Sequence, residues 1–344
     1  MVSIEMHSAP SPSVTRISDP AQLISAINGS SLAPFQLSST PAPSLMARLP
    51  GERLCLDYAS VGPSMLFTGL TAEDCYTLVF VMECPEPGVA FNYSIGIERG
   101  YLGFFPPGGI IDSRTPAGFA TVALTLPASR FLSAQAIYFP DIPEDVLQRG
   151  TNLIVGAIEE SRLRRLASEV TDLLVSETGW KGAVAVSQQM EEELLEAFFA
   201  ALRSGCAVRK RSDSPTTSRR QRHLLRAREF IAAHGHRPVA LEELCSELGL
   251  TARSVQQIFQ SLLQVSPVTY LRHHRLQGVR RALQSAQPEL GAVKNVALDW
   301  GFWHLGRFAA DYRALFGESP HQTLGTAPHR KADSKSHAHS QARD

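Results

Sequence analysis

VALDWGFWHLGRFAADYRALFGESPHQTL, residues 296–324, holds two of the chain's three Trp, and four aromatics fall within the ten residues Asp299 to Phe308. Such density suits either a wall around a reactive His304 or the small core of a helical motif. The second reading prevails because the pattern occurs twice. LEELCSELGLTARSVQQIFQSLLQVSP, residues 241–267, repeats it. In each copy a small residue (Cys245, Ala297) precedes a Gly by four (Gly249, Gly301), and an apolar residue follows that Gly (Leu250, Phe302). A second amphipathic run then leads to Ser266-Pro267 or Ser319-Pro320.

Two helices crossing steeply through a short turn need a small side chain where they touch and a Gly able to take positive φ at the corner. Apolar residues must then close a tiny shared core. Leu244, Leu248, Leu250, Val255, Ile258 and Phe259 serve in the first copy; Val296, Trp300, Phe302, Phe308, Tyr312 and Leu315 serve in the second. This is helix-turn-helix spacing, in which the second helix of each pair enters a DNA major groove. Between the copies, VTYLRHHRLQGVRRALQSA (268–286) predicts one helix about 28 Å long at 1.5 Å per residue. That length suits two recognition helices roughly 34 Å apart, one turn of DNA.

Working outward, residues 205–218 (GCAVRKRSDSPTTS) read as an exposed linker with a basic run, Arg209-Lys210-Arg211. Before it, helical periodicity predicts two long helices. One covers 151–176, with Ile154, Ala157, Ile158, Val170, Leu173 and Leu174 on one face. The other covers 183–204, with Met190, Leu194, Phe198 and Leu202 at helical spacing. Intradomain packing is the plain reading of both, and dimerisation through one of them the sharper one. A helix is expected around Ser129–Tyr138. From 47 to 126 the texture is β: RLCLDY (53–58), YTLVFVM (76–82), YLGFF (101–105) and FATVALTL (119–126), separated by PEPG and PPGG turns. Residues 1–45, rich in Ser, Pro and Ala, read as loose apart from a short helix from Asp19 to Ile27, and the polar tail 326–344 as disordered.

The formal net charge of zero conceals opposite halves. Residues 1–202 carry 11 Lys+Arg against 22 Asp+Glu; residues 203–344 carry 22 against 11. A basic half fits an anionic polymer, although acidic and basic domains also coexist without one. Five scattered Cys without a CxxC pair argue against disulfide scaffolds and zinc clusters, and a reducing cytoplasm is the default. No apolar run approaches the roughly eighteen residues of a membrane span, and the first residues lack a secretory signal pattern.

These motifs resemble those of the AraC/XylS transcription regulators, over 219–325. The most telling stretch is 296–324, with Ala297, then Gly301-Phe302, then a helix with spaced aromatics ending in Gly317-Glu318-Ser319-Pro320. Its Gly-Phe-x-His-Leu-Gly-Arg-Phe wording is similar to the XylS-like and ethanolamine-regulator-like branches. Cys245 departs from the Ala usual in the first copy. The resemblance implies an α+β protein. A β-rich, cupin-like sensor or dimerisation barrel with two long helices (46–204) would precede an all-α domain with two helix-turn-helix motifs (219–325). It also implies promoter DNA, RNA polymerase and a small organic effector as partners, a homodimer, no cofactor and no metal.

On the first recognition helix, 252–263, Val255, Ile258, Phe259 and Leu262 face inward. Arg253, Ser254, Gln256 and Gln257 are then turned toward base edges, since Arg forks to guanine and Gln pairs with adenine. On the second, 304–316, Phe308 and Tyr312 point inward, leaving His304, Gly306, Arg307 and Ala310 outward, with Arg307 the principal reader. Thr251 and helix-start amides are expected on phosphates, with Arg219, Arg220, Arg222, Arg272 and Arg275 as looser candidates. Cys245, Gly249, Ala297, Trp300, Gly301, Phe302, Phe308, Tyr312 and Pro320 are assigned to turns and core.

Three functions compete. The first is an effector-responsive DNA-binding regulator that activates transcription. In the second, the N-terminal domain only dimerises; the third is a metal-dependent enzyme on a cupin-like domain. The enzyme is disfavoured because only His7 of eleven His lies in residues 1–202, and no nucleophile elbow, Walker loop or Rossmann fingerprint appears. A closed apolar pocket within 50–140 would favour the first function, and a filled interior the second.

Overall fold

Every residue from Leu78 to Met82 is apolar because both faces of that strand are covered. Leu78, Phe80 and Met82 enter a core against helices, while Val79 faces a second sheet. The computed structural model describes residues 12–39, 42–50, 54–86, 90–92, 95–175, 188–208, 215–234 and 237–325. Its strands are β1 (Ser13–Ile17), β2 (Ser31–Gln36), β3 (Ser44–Pro50), β4 (Cys55–Val61), β5 (Met65–Leu70), β6 (Cys75–Glu83), β7 (Phe91–Asn92), β8 (Ile95–Gly96), β9 (Tyr101–Phe105), β10 (Ile110–Thr115), β11 (Phe119–Pro127) and β12 (Thr151–Ile154). They form two antiparallel sheets, β1-β3-β4-β11-β6-β9-β12 and β2-β5-β10-β7-β8. Ile17, Leu23, Leu32, Met65, Phe67 and Ile111 form a core between them.

Helices α1 (Ala128–Tyr138), α2 (Glu144–Arg149), α3 (Ala157–Val175) and α4 (Gln188–Val208) follow. Phe131 of α1 and Phe199 of α4 join Phe104 of β9 in an aromatic cluster with centroid separations of 5.2 and 5.6 Å. Met190, Leu194, Phe198 and Leu202 of α4 pack in that core, as their spacing predicts.

The remaining elements are helical: α5 (Pro215–Ala233), α6 (Leu241–Leu248), α7 (Ala252–Leu263), α8 (Pro267–Ser285), α9 (Ala292–Asp299), α10 (Leu305–Phe316) and α11 (Pro320–Gly325). Helix α8 is shared between two small cores. Tyr270 and Leu271 complete the core of α5–α7, and Leu276, Val279 and Leu283 complete that of α9–α11. Helices α7 and α10 fall within a residue of the bounds expected for the second helix of each pair.

Several expectations are corrected. The described part of residues 1–45 is not loose, because β1, β2 and the start of β3 pair into the sheets, with a 3-10 turn at Pro20–Ser25. The helix expected over 151–176 begins only at Ala157; Thr151–Ile154 instead pair with β9 at the sheet edge. Its buried stripe is therefore Leu163, Leu166, Ala167 and Val170, and Ile158 stands 82% exposed. The expected linker 205–218 is shorter, since α4 runs through Val208 and α5 starts at Pro215; the basic run 209–211 and the tail 326–344 lie outside the described residues. Trp300 is half-buried rather than fully enclosed, its ring laid on the backbone of Gly278 in α8.

Candidate nucleic-acid interface

Both turns close by the same two hydrogen bonds. After α6, the Gly249 N–H donates to Ser246 C=O (3.2 Å) and the Leu250 N–H to Cys245 C=O (3.0 Å). After α9, the Gly301 N–H donates to Leu298 C=O (2.9 Å) and the Phe302 N–H to Ala297 C=O (2.9 Å). Each is a Schellman arrangement, with the glycine left-handed at φ +63° and +74°. The small residue of each copy is thus the one whose carbonyl receives the six-residue bond. The glycines differ in one respect: a Cβ on Gly301 would sit 2.3 Å from Pro238, whereas one on Gly249 would meet nothing.

The Ser-Pro pairs begin the next helices. Ser266 Oγ accepts from the Thr269 N–H with Pro267 in the first turn of α8. Ser319 and Gln322 cap α11 reciprocally, Gln322 N–H to Ser319 Oγ and Ser319 N–H to Gln322 Oε1. Below α10, Tyr312 is fully buried and its hydroxyl bonds to Thr323 Oγ1 at 2.7 Å.

On α7, Val255, Ile258, Phe259 and Leu262 are buried, and Arg253, Gln256 and Gln257 are exposed together on the opposite side. Ser254 is half-buried: its N–H bonds Thr251 Oγ1, and the two hydroxyls lie 3.0 Å apart. Thr251 is therefore the N-cap of α7, and its hydroxyl is already engaged in holding the helix start. On α10, Phe308, Tyr312 and Leu315 are buried while His304, Gly306, Arg307 and Ala310 are exposed.

Arg272, Arg275, Trp303, His304 and Arg307 line a cleft beside the start of α10, together with Asp311. Arg275 lies over the Phe302 ring (4.9 Å) and donates weakly to Gly301 C=O (3.4 Å), so it braces the turn. Arg272 pairs with Asp311 at 3.7 Å. Trp303 is 73% exposed on the same side as Arg307. Arg219, Arg220 and Arg222 are exposed along the first half of α5, apart from that cleft.

Sequence reasoning missed a set of residues outside the helical domain. A cavity of about 100 Å³ lies between the two sheets, lined by apolar side chains with Asn92, Ser113, Thr115, Thr121 and Asn152. Strand β10 forms a wall of it: Ile111, Ser113 and Thr115 face the cavity, and Asp112, between them, bonds Arg228 of α5 at 2.8 Å. Asp19 meets Arg280 of α8 (3.5 Å), which also holds Glu318 (3.0 Å). Single polar residues of this kind leave no periodic trace in the sequence.

A three-layer β-rich unit joined to a domain with two helix-turn-helix units defines a helix-turn-helix protein. A sequence profile described as a helix-turn-helix domain matches residues 244–326. The "XylDLEGF operon transcriptional activator 2" of Pseudomonas putida is 36% identical over 107 residues, covering 31% of this chain and 68% of that protein. The "Probable thc operon regulatory protein" of Rhodococcus erythropolis is 36% identical over 102 residues, 30% of this chain and 31% of that protein. The chain thus spans about a third of the length of the Rhodococcus relative. The crystal structure of a probable AraC family transcriptional regulator from Rhodopseudomonas palustris CGA009 is 36% identical, covering 31% of this chain and 97% of that one, with a TM-score of 0.29. That of the AraC-like transcriptional activator CuxR is 13% identical over 78% of this chain and 94% of that one, with a TM-score of 0.40. The chain belongs to the AraC/XylS family, a family of transcription regulators and not of enzymes. Among the described residues no helix is long and apolar enough to cross a membrane.

Proposed function

We propose that this protein is a sequence-specific activator of transcription in the bacterial cytoplasm whose DNA binding responds to a small organic effector. The reading rests chiefly on the duplicated turn geometry, which leaves Arg253, Gln256 and Gln257 on one recognition helix and Arg307 on the other. In use, α7 and α10 enter adjacent major grooves, with exposed arginines on phosphates. RNA polymerase and a second copy of the chain are its further partners. A cavity between the sheets supports an effector, although it is partly open and is lined by Ala26, Ile27, Leu32 and Asn152 as well as by residues of 50–140. Strands β2 and β10 border that cavity and also touch α8 and α5, so an occupant has a direct mechanical route to the DNA-binding helices.

Footprinting on the promoter DNA that the protein selects is the test. Protection should fall on two major-groove segments about 10 base pairs apart, and Arg253→Ala and Arg307→Ala should each remove one segment. Protection of a single segment, unchanged by either substitution, would refute the two-groove reading.

A further inference from the structure

Trp303 is the residue by which the two turns differ in length. Between Gly249 and the first residue of α7 stand Leu250 and Thr251; between Gly301 and the first residue of α10 stand Phe302, Trp303 and His304. Leu250 and Phe302 follow the corner glycines, and Thr251 and His304 are the N-caps of α7 and α10. Trp303 is left over, without a counterpart in the first copy. Phe302 turns into the core at 9% exposure, and Trp303 turns out of it at 73%. An indole normally sinks into a core or an interface, so one kept in water at the entrance of a recognition helix calls for an apolar surface on a partner.

The surroundings of Trp303 give the chemistry of that partner. The ring lines the cleft of about 240 Å³ beside α10, together with Arg272, Arg275, His304, Arg307 and Asp311. Three guanidinium groups face one carboxylate there. Arg275 is held on the Phe302 ring at 4.9 Å, and Arg272 is drawn only loosely toward Asp311, at 3.7 Å. A cationic cleft with a bare ring at its rim suits a chain that alternates anionic and apolar groups. The sugar–phosphate strand of a DNA duplex is such a chain. Within a duplex both faces of each base are covered by its neighbours, so an aromatic ring reaches only a sugar or the methyl group of a thymine. The arginines draw the backbone rather than the base edges to this side, and a deoxyribose lies beside every phosphate.

We propose that Trp303 lays its indole on a deoxyribose of the strand that Arg272 holds by a phosphate, next to the base edges read by Arg307, and so adds affinity without reading sequence. This rests on the reading of α10 as a recognition helix and names a contact made at its entrance. The ring is neutral and releases none of the counterions condensed on DNA, whereas Arg272 on a phosphate does.

The experiment measures binding of the full chain to its selected promoter fragment by gel shift over a series of salt concentrations. Trp303→Ala should weaken binding about tenfold at every salt concentration, with the salt slope of the wild type, and Trp303→Phe should keep most of the affinity. Arg272→Ala should instead lower the slope by about one. The Trp303→Ala loss should persist when every thymine in the segment protected by α10 is replaced with deoxyuridine, which lacks the 5-methyl group. DNA should also shift the tryptophan emission of the wild type to the blue, and not that of Trp303→Phe. Because Trp303 lies outside the core, the melting curve of Trp303→Ala should match the wild type.

A loss that vanishes on deoxyuridine DNA would put the ring on a thymine methyl and overturn the sugar contact. Unchanged affinity in Trp303→Ala would overturn DNA as the partner of the ring. A flatter salt slope in Trp303→Ala would mean that the ring only holds an arginine in place, which overturns the proposal as well. Wild-type protein that protects no promoter DNA would refute the regulator reading itself, a result separable from all of these.

Discussion

The ring of Phe35 lies stacked on that of Tyr270, centroids 4.6 Å apart and planes 16° from parallel. Phe35 belongs to β2 of the N-terminal unit and Tyr270 to α8, so the stack joins the two units. The next residue extends the join: Gln277 Nε2 donates to the Gln36 carbonyl (3.1 Å), and Gln36 Nε2 donates to Leu315 C=O at the end of α10 (2.7 Å). One dipeptide therefore touches both helix-turn-helix halves. Phe35→Ala should remove a coupling on the order of 1 kcal/mol beyond area burial, so that the calorimetric transition broadens or splits as the units melt apart. A profile identical to the wild type would show that the stack does not couple them.

Arg307→Ala should lower affinity for the selected promoter site by about 1–3 kcal/mol, since a forked arginine contact to guanine is lost. Arg307 is exposed, so the fold should be untouched. Gel-shift titration beside a melting curve checks both parts; a weakened fold with intact affinity would reverse the assignment.

Gly249 and Gly301 occupy equivalent left-handed corners, but only Gly301 is crowded. Alanine at Gly249 should cost roughly 1 kcal/mol, the left-handed strain alone. Alanine at Gly301 adds a clash with the Pro238 ring and should cost more, about 2–4 kcal/mol. Equal losses in urea unfolding would contradict the close approach of Pro238.

Gln264 ends α7 at φ +56°, the same place that Gly317 takes after α10 at φ +74°. A side chain there bears strain that glycine avoids. Gln264→Gly is expected to stabilise the domain by about 0.5–1 kcal/mol, and a loss of stability on denaturant titration would refute this.

Burial pushes the imidazoles of His273 and His274 on α8 down to about 4, aided by Arg272 beside the first and Arg281 beside the second; Asp311 opposes the shift at His273. Both are neutral in the folded state, whereas the unfolded chain takes up their protons near the ordinary value of about 6.5. Their effect is absent above that value, and stability should fall as pH drops from about 6.5 to about 4. Replacing both with Gln should flatten that slope, and an unaltered slope would place the acid sensitivity elsewhere.

The helical half was legible because its signals are local and repeated. A small residue, a glycine and an apolar residue at fixed spacing prescribe one Schellman turn, and two copies prescribe two. The inward faces of α7 and α10 followed from 3.6-residue periodicity, and those residues are buried. The β unit was legible as texture only. Thr151–Ile154 resembled the start of a helix because a four-residue edge strand is too short to show its own period, and its partner β9 lies some fifty residues earlier. The N-terminal strands looked loose because Ser, Pro and Ala are frequent in the segment around them, yet pairing with β3 and β5 overrides that composition.

What the amino-acid order determined alone, then, is the double helix-turn-helix, its corners, its cores and the polar faces turned away from them. The corners and the inward faces of each pair depend on residues within about twenty positions of one another, and α8 between the copies completes both cores. Tertiary structure alone decided the cavity between the sheets and the joining of Phe35 to Tyr270. Those depend on contacts between strands and helices far apart in the chain, and no local period records which side chains will meet there.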